Sequence, residues 1–224
     1  NALIVPGSAL KPLRKLALLL KEVGLPKMTA YAAYQMQLRS GVFTRRSTSS
    51  EIALEQVGDN QLFNENWQRW QAAGFSPRVD IADELTLGLF RPFSGQAAEL
   101  NLVPPGHTLE HWTRYGSEAG GQDIKDTWEP ARFAWSLDLA VANLHSPDGR
   151  YAACFWNSVE TFLAANPVDT GPNWSSAQEI ALRAIYWIIS LGVIGNDPAS
   201  SPARMTRITQ AIFQHAQRLP LTLN

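Results

Sequence analysis

Ser175-Ser176-Ala-Gln-Glu179-Ile-Ala-Leu-Arg183-Ala-Ile-Tyr-Trp187-Ile-Ile-Ser-Leu191 decides the fold class of this chain. Ile180, Ala184, Trp187, Ile188 and Leu191 recur at helical spacing. Ser175 with Gln178, and Ser176 with Glu179, are alternative capping boxes for the start of this helix. The segment is apolar on most sides, which predicts deep burial. Toward the N-terminus, Tyr151, Cys154, Phe155, Val159 and Phe162 line another helix that Asn166-Pro167 ends. Before it, Pro130 suits a first helical turn, with Ala131, Trp135, Leu139 and Ala142 on one face and His145 to Gly149 closing the helix. Toward the C-terminus, Ser201-Pro202 caps a helix carrying Met205, Ile208, Ile212, Phe213 and Leu219. Helices joined by short turns imply antiparallel hairpins. The expected fold is therefore mainly α, an incomplete α/α toroid built from helical hairpins.

The region before residue 124 is less regular. Leu13, Leu16, Ala17, Leu20 and Val23 predict a first helix, broken at Gly24 and Pro26, and Tyr31, Tyr34 and Leu38 a second. Gly41 to Ser50, with Arg45-Arg46 and the Ser/Thr run after it, reads as loop, and Phe63, Trp67 and Trp70 as one face of a short helix. Leu85, Leu87 and Leu89 alternate with Thr86 and Gly88, and Leu100 alternates with Leu102, so a few short strands are expected in the region 80–105. The expected organisation is residues 1–123 as N-terminal helices plus an irregular segment, and 124–224 as the hairpin part of the toroid.

The 224 residues are 45% hydrophobic and 17% charged, a folding composition. A formal net charge of −1 gives no global basic field, so no nucleic-acid partner is expected. The strongly apolar stretch Leu16–Leu20 is too short to span a membrane, and no signal peptide is visible. The one cysteine, Cys154, lies in an apolar run and reads as a buried structural thiol. Eight tryptophans suit either an aromatic core or faces that stack on sugar rings.

Few residues suggest chemistry directly. Asp123, Asp126 and Glu129 form an acidic series at spacings of three, compatible with paired glycosidase carboxylates. The same positions suit a helix N-terminus, and Glu129 can pair with Arg132. His107 and His111 lie four apart, but no third ligand is nearby and no metal is expected. His145 and His215 read as isolated surface or helix-end residues. Asn173, between a Gly-Pro turn and a buried helix with Trp174 beside it, suits either a turn or a hydrogen-bond donor to a bound carboxylate. Asn173-Trp-Ser175 is also a glycosylation sequon. No nucleophile elbow, phosphate loop or dinucleotide fingerprint is present.

Two blocks together resemble a known family. Asp123-Ile-Lys-Asp-Thr-Trp-Glu-Pro-Ala-Arg132 is similar to an Asp-Ile-Lys-x-x-Trp-Glu-x-x-Arg segment of the heparinase II/III-like polysaccharide lyases. Asn166-Pro167, Gly171-Pro-Asn-Trp-Ser-Ser176, Glu179-x-Ala-Leu-Arg183 and Trp187 resemble a second segment of the same family, in the same order. The likeness covers residues 120–190. It implies an N-terminal α/α toroid followed by a C-terminal β-sandwich, and β-elimination of an acidic, uronic-acid-containing polysaccharide. It implies no cofactor, and a periplasmic or secreted setting. It makes Asn173 the catalytic donor that neutralises the uronate carboxylate, and Trp174 and Trp128 sugar-binding residues. Glu129, Arg132, Glu179 and Arg183 become braces for the helices that hold the loop. In that chemistry a base removes the C5 proton and an acid protonates the departing O4.

The family's catalytic tyrosine and histidine lie beyond the Asn-Trp loop, and this sequence has no matching segment. The expectation is an N-terminal part of a longer lyase, its β-sandwich absent here, that binds uronate polymers weakly and cleaves nothing by itself. Two alternatives stand beside it. One is a non-catalytic glycan-binding or polysaccharide-assembly protein. The other is an α/α-toroid glycoside hydrolase using Asp123 or Asp126.

Overall fold

The computed structural model describes residues 21, 24–45, 77–106, 108–116, 118–119 and 121–221. Apart from Lys21, the expected helix at Leu13–Val23 lies outside these residues, as do residues 46–50 of the expected loop, the Phe63–Trp70 face and His107. Contacts divide the chain into two units, residues 1–46 and 47–223. In the first, α1 (Leu25–Arg39) starts after Gly24 and has Pro26 in its first turn. It is followed by the short α2 (Val42–Arg45), a helical turn inside the segment expected to be loop, and the rings of Tyr34 and Phe43 lie 5.9 Å apart.

The second unit is mainly helical, as its apolar spacing predicts. Among the described residues its helices are α3 (Val79–Thr86), α4 (Ile124–Ala131), α5 (Ser136–His145), α6 (Arg150–Ala165), α7 (Ala177–Ile194) and α8 (Pro202–Arg218). α5 packs against α6 and α7, α7 against α8, and α3 against both α5 and α6. Phe155, Trp156, Val159, Phe162, Trp187, Leu191 and Ile208 are central to the core these faces enclose.

Two short antiparallel hairpins lie among the described residues of the unit. Strands β1 (Leu89–Phe90) and β2 (Ala98–Glu99) pair Leu89 with Glu99 and Phe90 with Ala98, inside the region where strands are expected. Strands β3 (Glu118–Ala119) and β4 (Gln122–Asp123) form a second hairpin just before α4. Leu85 and Leu87 are not in a strand: Leu85 is buried on α3 and Leu87 is its C-terminal cap. Their alternation crosses the end of a helix, where Gly88 turns the chain at φ +80°.

Pro130 is not in a first turn. Asp123 caps α4 by accepting the Lys125 N–H at 3.0 Å, so Pro130 becomes the seventh residue of an eight-residue helix. Proline there supplies no N–H to the carbonyl four residues back, and the helix ends. Phe133 then adopts a left-handed φ of 63°, and α5 starts afresh at Ser136. That backbone costs about 1–3 kcal/mol in a bulky residue. Its buried ring offsets the cost by stacking on Trp135 at 4.8 Å and meeting Phe162 and Trp187 edge-on at 5.6 and 5.3 Å.

α7 starts with Ser176, whose hydroxyl accepts the Glu179 N–H at 3.4 Å. The capping box is not reciprocal, because the Glu179 carboxylate turns to Arg132. Nor is the helix buried all round: Ile185 and Ile188 are 49% and 50% exposed. Its 18 residues, at a mean hydropathy of 1.4, would suffice to cross a membrane by length and composition; half of them are packed inside the protein. Cys154 is partly buried, its thiol donating to the Leu85 carbonyl at 3.4 Å.

Candidate functional site

The Asn-Trp block forms a 3-10 turn, Pro172–Trp174, between α6 and α7. Gly171 enters it at φ +88°, a backbone that favours glycine, although a Cβ there would meet Leu109 Cδ1 only at an ordinary contact distance of 3.4 Å. The incoming loop is tied to residues 110–112: Gly171 N–H donates to the Glu110 carbonyl at 2.8 Å and Trp112 N–H to that of Asp169 at 3.0 Å.

Three successive carbonyls of the turn are each held by a side chain from a different helix. The Trp128 indole N–H, from α4, donates to the Pro172 carbonyl at 2.9 Å. Arg183 Nη2, from α7, donates to that of Asn173 at 2.8 Å. Arg218 Nη2, from α8, donates to that of Trp174 at 3.3 Å. Arg183 and Arg218 are both fully buried. Arg183 also donates to the Ala131 carbonyl at 2.7 Å and lies 4.4 Å from the Phe162 ring centre. Burial pushes its guanidinium down to about 9, still charged at neutral pH. Arg218 lies 3.6 Å from the Trp112 ring centre, with Asp169 Oδ1 at 3.7 Å.

Arg132 joins the two carboxylates the sequence singled out. It grips Glu179 with Nε at 2.8 Å and Nη2 at 3.0 Å, and Glu129 with Nη1 at 2.7 Å. The other Glu129 oxygen accepts the Phe93 N–H at 3.2 Å. The hydrogen bond to Glu179 holds the Arg132 guanidinium above its usual range.

Asn173 is only 1% exposed. Its Nδ2 donates to Asn166 Oδ1 at 2.8 Å. Asn166 Nδ2 donates in turn to the Leu102 and Phe162 carbonyls at 3.0 and 2.9 Å. Two carbonyl acceptors fix the orientation of Asn166, and so that of Asn173, whose Oδ1 is left buried without a partner. Burial also removes Asn173 from use as a glycan acceptor in the folded chain.

Asn173 and Trp174 face different cavities. Asn173 lines one of about 210 Å³ with Glu99, Asn101, Gln122, Asp126 and Thr127. Trp174 and Asn166 border a larger groove, about 840 Å³, with Arg207, Gln210, Gln214 and His215 along α8. The Trp174 ring is enclosed, its N–H donating to the Asn166 carbonyl at 3.4 Å.

His215 is not a surface residue. It is fully buried, with ring centres of Trp174 and Trp187 at 4.6 and 5.0 Å. Its Nδ1 donates to the Ala211 carbonyl at 2.7 Å, and its Nε2 accepts from Arg183 Nη1 at 3.2 Å. Burial, reinforced by the Arg183 charge, holds it well below 6.5 and therefore neutral. The signal that locates it is the helical face Ile208, Ala211, His215, Arg218, all buried on α8. His145 ends α5, exposed, as expected. His111 Nδ1 lies 3.0 Å from the Thr113 hydroxyl.

The acidic series is divided by function. Asp123 is a helix cap, Glu129 is paired with Arg132, and Asp126 borders the small cavity. Among the described residues no group of three or more His, Cys, Asp or Glu side chains is placed to hold a metal. No family model, curated protein or solved structure matches the chain.

Proposed function

We propose that this chain is the helical, glycan-holding part of a polysaccharide lyase acting on uronic-acid-containing polymers, with Asn173 as its donor and the Pro172–Trp174 turn as its site. The observation that carries the reading is the fixing of that turn: three consecutive carbonyls each bound by Trp128, Arg183 or Arg218. A turn serving only as a connector does not need three buried or half-buried side chains to hold its backbone, whereas a binding group must be held closely. The Asn173 amide keeps one N–H beyond the bond to Asn166. In this reading Glu129, Arg132 and Glu179 keep α4 and α7 in register beneath the turn.

His215 offers no base at this turn, since both its ring nitrogens are engaged, by Ala211 and Arg183. The non-catalytic glycan-binding protein stands as the second reading.

The test is affinity electrophoresis of the purified chain through gels containing alginate or a low-sulfate glycosaminoglycan, with ultraviolet assay for unsaturated uronate. The expected result is retardation of the wild type, less retardation of Asn173→Ala, and no unsaturated product. Equal mobility with and without every polymer removes the glycan reading. Steady release of unsaturated product removes the claim of inertness.

A further inference from the structure

Left-handed backbone is costly at any residue but glycine, and at two places in this chain burial offsets it. Phe133 encloses its ring in the aromatic core, and Asp169 is only 9% exposed, beside Arg218. The tip of the β1–β2 hairpin has no such compensation. Phe93 and Ser94 stand in succession at φ +52° and +59°. Yet Phe93 is 61% exposed, and its ring meets no other ring among the described residues. A glycine follows them, but Gly95 lies at φ −87°, where its missing Cβ clears the Pro92 carbonyl instead. The two strained positions are therefore filled by residues with side chains to offer.

The conformation is held from outside the hairpin. Phe93 N–H donates to Glu129 Oε1 at 3.2 Å, and Glu129 is fixed in turn by Arg132. Phe93 and Ser94 border a cavity of about 230 Å³ whose charged wall is Arg78, Arg91, Glu129 and Asp138. Two guanidinium groups against two carboxylates leave that wall without net charge. Arg78 grips Asp138, and Arg91 grips Glu84, each through Nε and Nη2. Both guanidinium planes are thereby set, while neither Nη1 has a partner among the described residues. Strained residues of this kind cluster at ligand clamps. An exposed aromatic face beside fixed, unfilled donors suits an uncharged sugar. The C–H face of the sugar lies on the negative ring face, and hydroxyls at its edge accept from guanidinium N–H. A cavity of this size with fixed polar edges fits a small ring better than the broad surface of a protein partner.

We propose that Phe93 is the platform of a sugar-binding subsite: its ring stacks on the face of an uncharged pyranose, and Arg78, Arg91 and Ser94 hold the hydroxyl groups of that sugar. The subsite stands on the hairpin and its cavity alone. A further step rests on the uronate reading: the polymer then carries uncharged sugars between its uronates and is not uronate throughout. Glu129, shared between Phe93 and Arg132, ties the subsite to the brace beneath Pro172–Trp174.

The experiment titrates the 224-residue chain with uncharged cello-, manno-, xylo- and chito-oligosaccharides by ligand-observed NMR. The expected result is saturable binding of at least one of them, weakened about three- to tenfold in Phe93→Ala, retained in Phe93→Tyr and unchanged in Asn173→Ala. Phe93→Gly is expected to lose the same affinity yet to melt above Phe93→Ala, since glycine alone relieves the left-handed backbone. Absence of binding across the panel overturns the proposal. So does affinity unchanged in Phe93→Ala, or Phe93→Gly melting no higher than Phe93→Ala. A dimer in gel filtration that Phe93→Ala converts to monomer also overturns it, by giving the ring to a second copy. Uronate polymers in parallel separate the two readings. Uncharged oligomers bound by a chain that no uronate polymer retards sink only the uronate reading. A uronate polymer bound by a chain that takes no uncharged oligomer sinks only the subsite.

Discussion

His215 and Arg183 form a buried pair of which one member is charged and the other neutral. The sign of its pH dependence follows. The His215 ring titrates well below 6.5 in the fold and near 6.5 when unfolded, so below that pH the unfolded chain binds more protons. Its contribution is whole above pH 6.5 and is lost as pH falls toward the folded value. Urea midpoints across a pH series are expected to fall below pH 6.5 in the wild type, with a slope that His215→Gln reduces by up to about 1.4 kcal/mol per pH unit. Identical slopes would mean the ring is protonated in the fold. Arg183→Lys is expected to cost about 2–5 kcal/mol by urea unfolding, because an ammonium cannot serve Ala131, Asn173 and His215 at once. At this scale the sequence was legible where a residue's partner lies close along the chain, as with Glu129 and Arg132. Asn166 was legible as a helix end, but His215 was misplaced at the surface, because the ring's partner Arg183 comes from another helix.

The instructive elements are α4 and α5. Apolar spacing through Ala131, Trp135, Leu139 and Ala142 reads as one helix, because period alone does not register a single left-handed residue. Proline 130 and the aromatic cluster around Phe133 divide it. The backbone there reverses an ordinary rule: Phe133→Gly is expected to be less destabilising than Phe133→Ala. Both lose the ring, at about 3–5 kcal/mol, but glycine alone relieves the positive φ, by about 1–2 kcal/mol. Thermal unfolding of the two variants decides it, and alanine proving the more stable would mean that residue 133 is not held left-handed. The start of α7 was legible as a choice between Ser175 and Ser176; Ser176 takes the cap, and the reciprocal half of the box is lost because Glu179 is drawn to Arg132, a contact 47 positions away in sequence.

Across the whole molecule, the helical character was open to reading because it is written in local periodicity. The two cavities were not, since they arise where α4, α6, α8 and the β1–β2 hairpin meet the turn. Stability is expected to follow burial. Amides of α5 and α7 exchange with deuterium last, and those of α1, which has no buried residue, exchange first. Protection in α1 equal to that in α7 would contradict this. The three-point fixing of Pro172, Asn173 and Trp174 has a consequence for entropy. Whatever docks at this turn meets backbone whose freedom was surrendered when the chain folded, so little further ordering is charged to the encounter. The same ties make the turn a gauge of shear: α4, α7 and α8 cannot slide past one another without moving the amide of Asn173.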